Sequence, residues 1–115
     1  MQNLVRETKE RLQAYEVNED AVLWVGSKDG RYAITWGDFC KQYNDVMYYP
    51  GYGPQEIASD LVVVGEDWWL ERTEYDGAEG WAFKRKPMKR TGSNTFKIVK
   101  SDKGDQTLDE ISFNK

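Results

Sequence analysis

Histidine is missing altogether from this chain of 115 residues. That absence removes Ser–His and Cys–His catalytic pairs and histidine-centred zinc sites together, along with the commonest general base near neutral pH. Carboxylates, tyrosines, Lys84 or Cys40 remain as acid–base groups, and each would need a displaced pKa to act. The single Cys40 has no internal partner for a disulfide, which makes a reducing cytoplasm the default compartment. No stretch approaches the ~20 apolar residues that cross a bilayer. The opening MQNLVRETKERLQAYE also lacks the apolar core of a signal peptide. There is no glycine-rich phosphate loop opening a helix, no Cys–Cys metal spacing, no calcium-loop spacing and no internal repeat. These gaps predict a cytoplasmic protein that is not an enzyme, carries no cofactor or metal and does not enter a membrane.

Aromatic residues and an uneven charge are what the chain has instead. Five Trp and seven Tyr in so short a chain offer large buried areas, enough to support one modest core. Met1 to Phe83 holds 7 Lys+Arg against 16 Asp+Glu, net −9, while Lys84 to Lys115 holds 9 against 4, net +5. The acidic body and basic C-terminal quarter can neutralise one another within one molecule or between copies. They can equally present an acidic face that repels nucleic acid and attracts basic partners.

Along the chain, Val5, Thr8, Leu12 and Tyr15 recur at helical spacing and predict a helix over Asn3 to Glu16. Its stripe is narrow, suited to docking on the domain or to pairing with a second copy as a homodimer. Ala21 to Trp36 reads as a hairpin around Asp29-Gly30, a type I′ signal. That turn sets Val25 opposite Ile34 and places Leu23, Val25, Tyr32, Ile34 and Trp36 on the core face. Thr35 can cap a second helix over about Gly37 to Tyr48, with Phe39, Tyr43 and Val46–Met47 inward and Cys40 beside them as a small core residue. Tyr48 to Pro54, YYPGYGP, breaks that helix.

Leu61 to Lys86, LVVVGEDWWLERTEYDGAEGWAFKRK, then reads as a three-stranded antiparallel meander. A three-residue loop at Gly65-Glu66-Asp67 places Val64 opposite Trp68 and Val62 opposite Leu70. A four-residue connection over Asp76 to Glu79 places Glu71 opposite Lys84. The core face is then Val62, Val64, Trp68, Leu70, Trp81 and Phe83. Trp69, Glu71, Thr73, Tyr75, Ala82, Lys84 and Lys86 share the other face. Thr95 to Lys100 can add one edge strand, and the polar remainder, anchored weakly by Leu108, Ile111 and Phe113, predicts a flexible tail. The expected architecture is a single α+β domain over 1–100: an antiparallel sheet of hairpin plus three-stranded meander, one helix packed across it and an N-terminal helix. Residues 101–115 form the tail.

Three functional readings compete. Trp69 must point away from Trp68, so either the first helix covers it through Leu12 and Tyr15, or it is exposed as an interface anchor with Tyr75, Lys84 and Lys86 around it. Tyr49 and Tyr52 in the tyrosine loop either fold back over one end of the sheet or add recognition surface. These six residues are the interaction candidates for a protein partner. The run Lys84 to Arg90, KRKPMKR, instead suits phosphate contacts beside stacking aromatics and makes a nucleic-acid module the alternative. The crowded carboxylates Glu66, Asp67, Glu71, Glu74, Asp76 and Glu79 make a carboxylate-dependent enzyme the third, although acids at turns have structural reasons to be there.

The run Asp60 to Lys84, DLVVVGEDWWLERTEYDGAEGWAFK, and more loosely Val22 to Phe39, VLWVGSKDGRYAITWGDF, resemble short uncharacterised proteins of phages and prophages of Gram-positive bacteria. Such sequences continue from the Phe-Lys step with fewer basic residues, and KRKPMKR departs from that pattern. The resemblance implies a small accessory protein made in an infected bacterial cell, and it assigns no activity.

Overall fold

The computed structural model describes residues 1–113, with the Phe113 side chain outside that description along with residues 114–115. The fold is α+β, with a five-stranded antiparallel sheet, a two-stranded ribbon and three helices among the described residues. The chain starts in β1 (Gln2–Asn3) and turns at once into α1 (Leu4–Ala14). Asn3 caps the helix, its side-chain oxygen accepting from Arg6 N–H at 2.9 Å. At the far end Glu16 takes a left-handed conformation and Val17 N–H reaches back to Leu12 O at 2.9 Å, which closes the helix as a C-terminal cap should.

A single 3₁₀ turn at Glu19–Ala21 leads to β2 (Trp24–Ser27) and β3 (Ala33–Ile34). Val25 stands opposite Ile34 as the hairpin pattern expects, but the turn is not type I′. Gly30 alone of the two central residues has positive φ, and Gly30 N–H donates to Ser27 O while Ser27 N–H donates to Tyr32 O, making a four-residue loop. The Asp29 carboxylate accounts for it. It accepts from the Ser27 hydroxyl at 2.7 Å and from Arg31 N–H at 3.0 Å, bonds that a tight loop pairing Lys28 with Arg31 would forfeit. Leu23 and Tyr32, expected in the core, are exposed. The hairpin strands also meet closely at Gly26, where a Cβ would lie 1.8 Å from Tyr32 O.

Thr35 caps α2 (Trp36–Gln42) as expected, accepting from Asp38 N–H at 3.0 Å. The helix ends earlier than its apolar pattern suggests. β4 (Met47–Tyr48) takes the residues beyond it and pairs with β1. β5 (Leu61–Val64), β6 (Trp68–Tyr75) and β7 (Ala78–Arg85) form the meander, and the sheet order is β3-β2-β5-β6-β7.

Both meander turns are tighter than the sequence suggests. Gly65 N–H donates to Trp68 O, so the first loop is Glu66-Asp67 and Val63, not Val62 or Val64, faces Leu70. One residue of slip moves every side chain of β5 to the other face. The second turn is Asp76-Gly77, with φ of 53° and 86° and Tyr75 opposite Ala78, the type I′ geometry expected of the other hairpin. Here the slip is two residues, so faces are kept but partners change: Lys84 meets Trp69, and Arg72 meets Trp81.

α1 lies on the sheet face that carries Val25, Val63, Leu70 and Trp81. Leu12 and Thr8 are fully buried there, and Trp81 Nε1–H donates to the Thr8 hydroxyl at 2.9 Å. Tyr15 stacks on Phe83 at 4.2 Å between centroids. Beyond Arg85 the chain leaves the sheet. Residues 86–107 contain no helix or strand, so the edge strand expected over Thr95 to Lys100 is not formed, and α3 (Leu108–Phe113) follows. The radius of gyration of 18.0 Å compares with about 13 Å for a compact chain of this length.

Candidate interaction surface

The inner face of the sheet buries charge. The Arg72 side chain is wholly enclosed, with Nη2 donating to Glu79 Oε2 at 2.9 Å and to the Tyr48 hydroxyl at 3.1 Å, and Nη1 3.6 Å from Glu7 Oε1. Its guanidinium lies over the Trp81 ring at 4.6 Å and the Tyr48 ring at 5.2 Å, so aromatic faces stand where Nε and Nη1 lack acceptors. The Tyr48 hydroxyl donates in turn to Glu7 Oε1 at 2.7 Å. Burial pushes the Tyr48 phenol up to about 12. Burial pulls the Arg72 pKa down, but the hydrogen bonds of Tyr48 and Glu79 and the charge of Glu7 outweigh it, for a net rise. Both shifts lead away from neutral pH, and the cluster acts as a brace between α1, β4, β6 and β7.

It also braces the tyrosine loop. Glu79 Oε1 accepts from Glu56 N–H at 2.7 Å, and Glu79 N–H donates to Pro50 O at 2.7 Å. Tyr49 N–H is held by Glu56 Oε2 at 3.0 Å. The loop passes so close to the β6–β7 turn that a Cβ at Gly77 would lie 3.2 Å from Tyr52 Cα. Tyr49, Tyr52 and Tyr75 thus lie at the same end of the sheet, with 64%, 92% and 84% of their surface exposed. The rings do not fold back over the sheet.

Trp69 lies elsewhere. It occupies the outer face, opposite α1, in a cross-strand row of Trp24, Val64, Trp69 and Lys84. Cover by Leu12 and Tyr15 is therefore ruled out, because both pack on the other side of the sheet. Trp69 is half-buried, its Nε1–H donating to Glu71 Oε1 at 2.6 Å, and Glu71 in turn sits 3.7 Å from Lys28 Nζ. Lys84 is exposed directly across from Trp69, and Lys86 is exposed beyond the strand end. Trp69 and Tyr75 share a face but stand six residues apart on one strand, about 20 Å. The six candidates therefore divide into two places, Tyr49, Tyr52 and Tyr75 at one end, and Trp69, Lys84 and Lys86 toward the other.

Neither Arg72 nor Glu79 stands out in the sequence as buried. The signal that marks them is parity: Arg72 continues the Trp68–Leu70 face, and Glu79 continues the Phe83–Trp81 face. Two opposite charges at the ends of converging core stripes can pair inside. Elsewhere the chemistry is sparse. Burial pushes the half-buried Cys40 thiol up, away from reactivity. Among the described residues, no three of Cys, Asp and Glu gather closely enough to hold a metal, and no helix is long and apolar enough to cross a membrane. An open cleft of about 530 Å³ between α2 and the hairpin is lined by Val25, Ile34, Phe39 and Leu61, with Asp60 the one charged residue among its described lining. Comparison with protein-family models, with curated proteins and with solved structures found no match to this chain.

Proposed function

We propose that this is a non-catalytic interaction protein, a small accessory protein of phage or prophage origin, that recognises a host or phage protein through the end bearing Tyr49, Tyr52 and Tyr75. The observation that carries this reading is that the loop bearing the exposed Tyr49 and Tyr52 is held at Pro50 and Glu56 by Glu79, which is buried in an ion pair with Arg72. Tyrosine supplies contact area with few rotatable bonds, and a loop already held in place loses little freedom on binding. The phage origin rests on the resemblance of the meander run alone. The test compares capture from a Gram-positive bacterial lysate by the native chain, by Trp69→Ala and by the double variant Tyr52→Ser/Tyr75→Ser. The double variant should melt as the native protein does and lose a partner that Trp69→Ala retains. Equal capture by all three would show that the tyrosine end is not the surface.

A nucleic-acid reading draws on one further observation. Lys84, Lys86, Lys89 and Arg90 are exposed, and none of them enters an ion pair among the described residues. Binding through them would be salt-sensitive and weakened by Lys86→Glu/Lys89→Glu. Absence of any shift of a fluorescent single-stranded or duplex DNA at low salt would remove this reading.

A further inference from the structure

The last strand of the sheet is an open edge. β7 runs for 8 residues and, among the described residues, has a strand neighbour only on its β6 side. Lys86 N–H donates to Asp67 O at 2.7 Å. In an antiparallel ladder the even-numbered residues of β7 therefore bond to β6, and the odd-numbered ones direct N–H and C=O outward. Glu79 follows this parity, its N–H leaving the sheet for Pro50 O. The N–H groups of Trp81, Phe83 and Arg85 point the same way, and no acceptor meets them among the described residues. Such a row is a template for another strand.

The same chain holds a strand-forming segment without a partner. Thr95 to Lys100, TFKIVK, is rich in β-branched and aromatic residues, yet it forms no strand, and Phe96 and Val99 are 55% and 73% exposed. It belongs to an arm without regular structure from 86 to 107, in a molecule whose long axis reaches 55 Å.

We propose that Thr95–Lys100 of one copy adds to the β7 edge of a second copy as an antiparallel strand, so that two chains exchange arms. Setting Phe96 beside Phe83 and Ile98 beside Trp81 places the arm's apolar side chains on the inner face, next to the core aromatics. The same register sets Thr95 beside Lys84 and Lys97 beside Ala82, so no two cations stand directly opposite. The charge division helps, because the net +5 from Lys84 onward meets a body of net −9 on the partner.

Ala82 and Lys97 would form a non-hydrogen-bonded pair in this register, whose close Cβ atoms suit a disulfide. The experiment places Ala82→Cys in one chain and Lys97→Cys in another, both on a Cys40→Ser background, and mixes them under mild oxidation. A disulfide-linked heterodimer is expected, and Ile98→Pro in the arm should abolish it while leaving the melting of the body unchanged. The full chain should sediment as a dimer and the Ile98→Pro chain as a monomer. A mixture that stays uncross-linked, cross-linking that survives Ile98→Pro, or a chain carrying both cysteines that closes only within itself as a monomer would overturn the proposal.

Discussion

The inner face of the sheet buries an arginine and a glutamate, whereas the outer face leaves two tryptophans half-exposed. Residue type alone would have reversed these places. Arg72 is tolerated inside because its planar head finds Glu79, Glu7 and Tyr48 around its edge and aromatic rings over its faces, the arrangement a guanidinium meets better than an ammonium. Such a pair is weak evidence for stability when set against an apolar replacement. What it does here is fix geometry, because Glu79 also holds the backbone of the tyrosine loop. The outer row of Trp24, Val64 and Trp69 reaches only part-exposed groups, the Trp69 indole bonding Glu71, which pairs with Lys28. The inner face should therefore be intolerant of single changes and the outer face forgiving.

The strongest challenge to that contrast is Arg72→Met. It leaves the Glu79 carboxylate enclosed without its cation, and the loss expected for breaking a buried pair is about 3–5 kcal/mol in urea unfolding. Replacing both partners, Arg72→Met with Glu79→Leu, should restore much of that stability while freeing the Glu56 and Ile57 N–H groups that the Glu79 carboxylate now holds. A single-variant loss below about 1 kcal/mol would mean that the cluster braces nothing. Next comes pH. The Tyr48 pKa is raised from 10.0 to about 12 by burial, so the folded state holds that proton more tightly than the unfolded chain does. The resulting stability is fully present below pH 10 and is lost as pH rises from 10 to about 12. The drop should be about 2–3 kcal/mol, visible in melting against pH, with one late step in the tyrosinate absorbance that Tyr48→Phe removes.

The inner face was legible in the sequence wherever period alone decides it. Val5, Thr8 and Leu12 mark α1, and the alternation of Trp68, Leu70, Trp81 and Phe83 is the core stripe. Register was not legible, because it depends on which residues of an acidic Gly/Asp turn leave the ladder. Asp29-Gly30 looks like a type I′ turn, but the Asp29 carboxylate binds Ser27 and Arg31 and opens the loop. Asp76-Gly77 sits in a longer polar run, yet Asp76 accepts positive φ and closes the tight turn. At Gly65 the difference is one residue, and it transfers Val63 to the core and Val62 and Val64 to the outer face. Of the candidate surface, Tyr49 and Tyr52 could be named from the loop composition. Their place at the same end as Tyr75 could not, since it depends on Glu79 reaching across to residues 50–57.

A smaller effect tests the inner face without touching charge. Thr8→Val keeps the side chain's shape but leaves the Trp81 indole N–H and the Leu4 carbonyl without the Thr8 hydroxyl that now serves both at 2.9 Å and 2.7 Å. The Leu4 carbonyl keeps its helical bond, but leaving the buried indole N–H unpaired costs about 1–3 kcal/mol. Thr8→Ser should recover most of it, because the hydroxyl returns with the loss of one methyl group. Equal destabilisation by Val and Ser would assign the effect to packing alone.

The smallest effect is expected at Trp69, and it bears most directly on the outer face. Trp69→Ala removes a half-buried ring, one indole hydrogen bond to Glu71 and contact along the row with Val64 and Lys84. No core cavity is opened, so the loss should stay near 1 kcal/mol, well short of the ~3–5 kcal/mol typical of removing a core tryptophan. Glu71 keeps Lys28 as a partner at 3.7 Å and stays close enough to solvent to shed the lost bond cheaply. Urea unfolding followed at the remaining four tryptophans would read the difference. A loss above ~3 kcal/mol would mean that this ring is as tightly enclosed as those on the inner face, and the contrast between the two faces would then fail at the residue chosen to represent it.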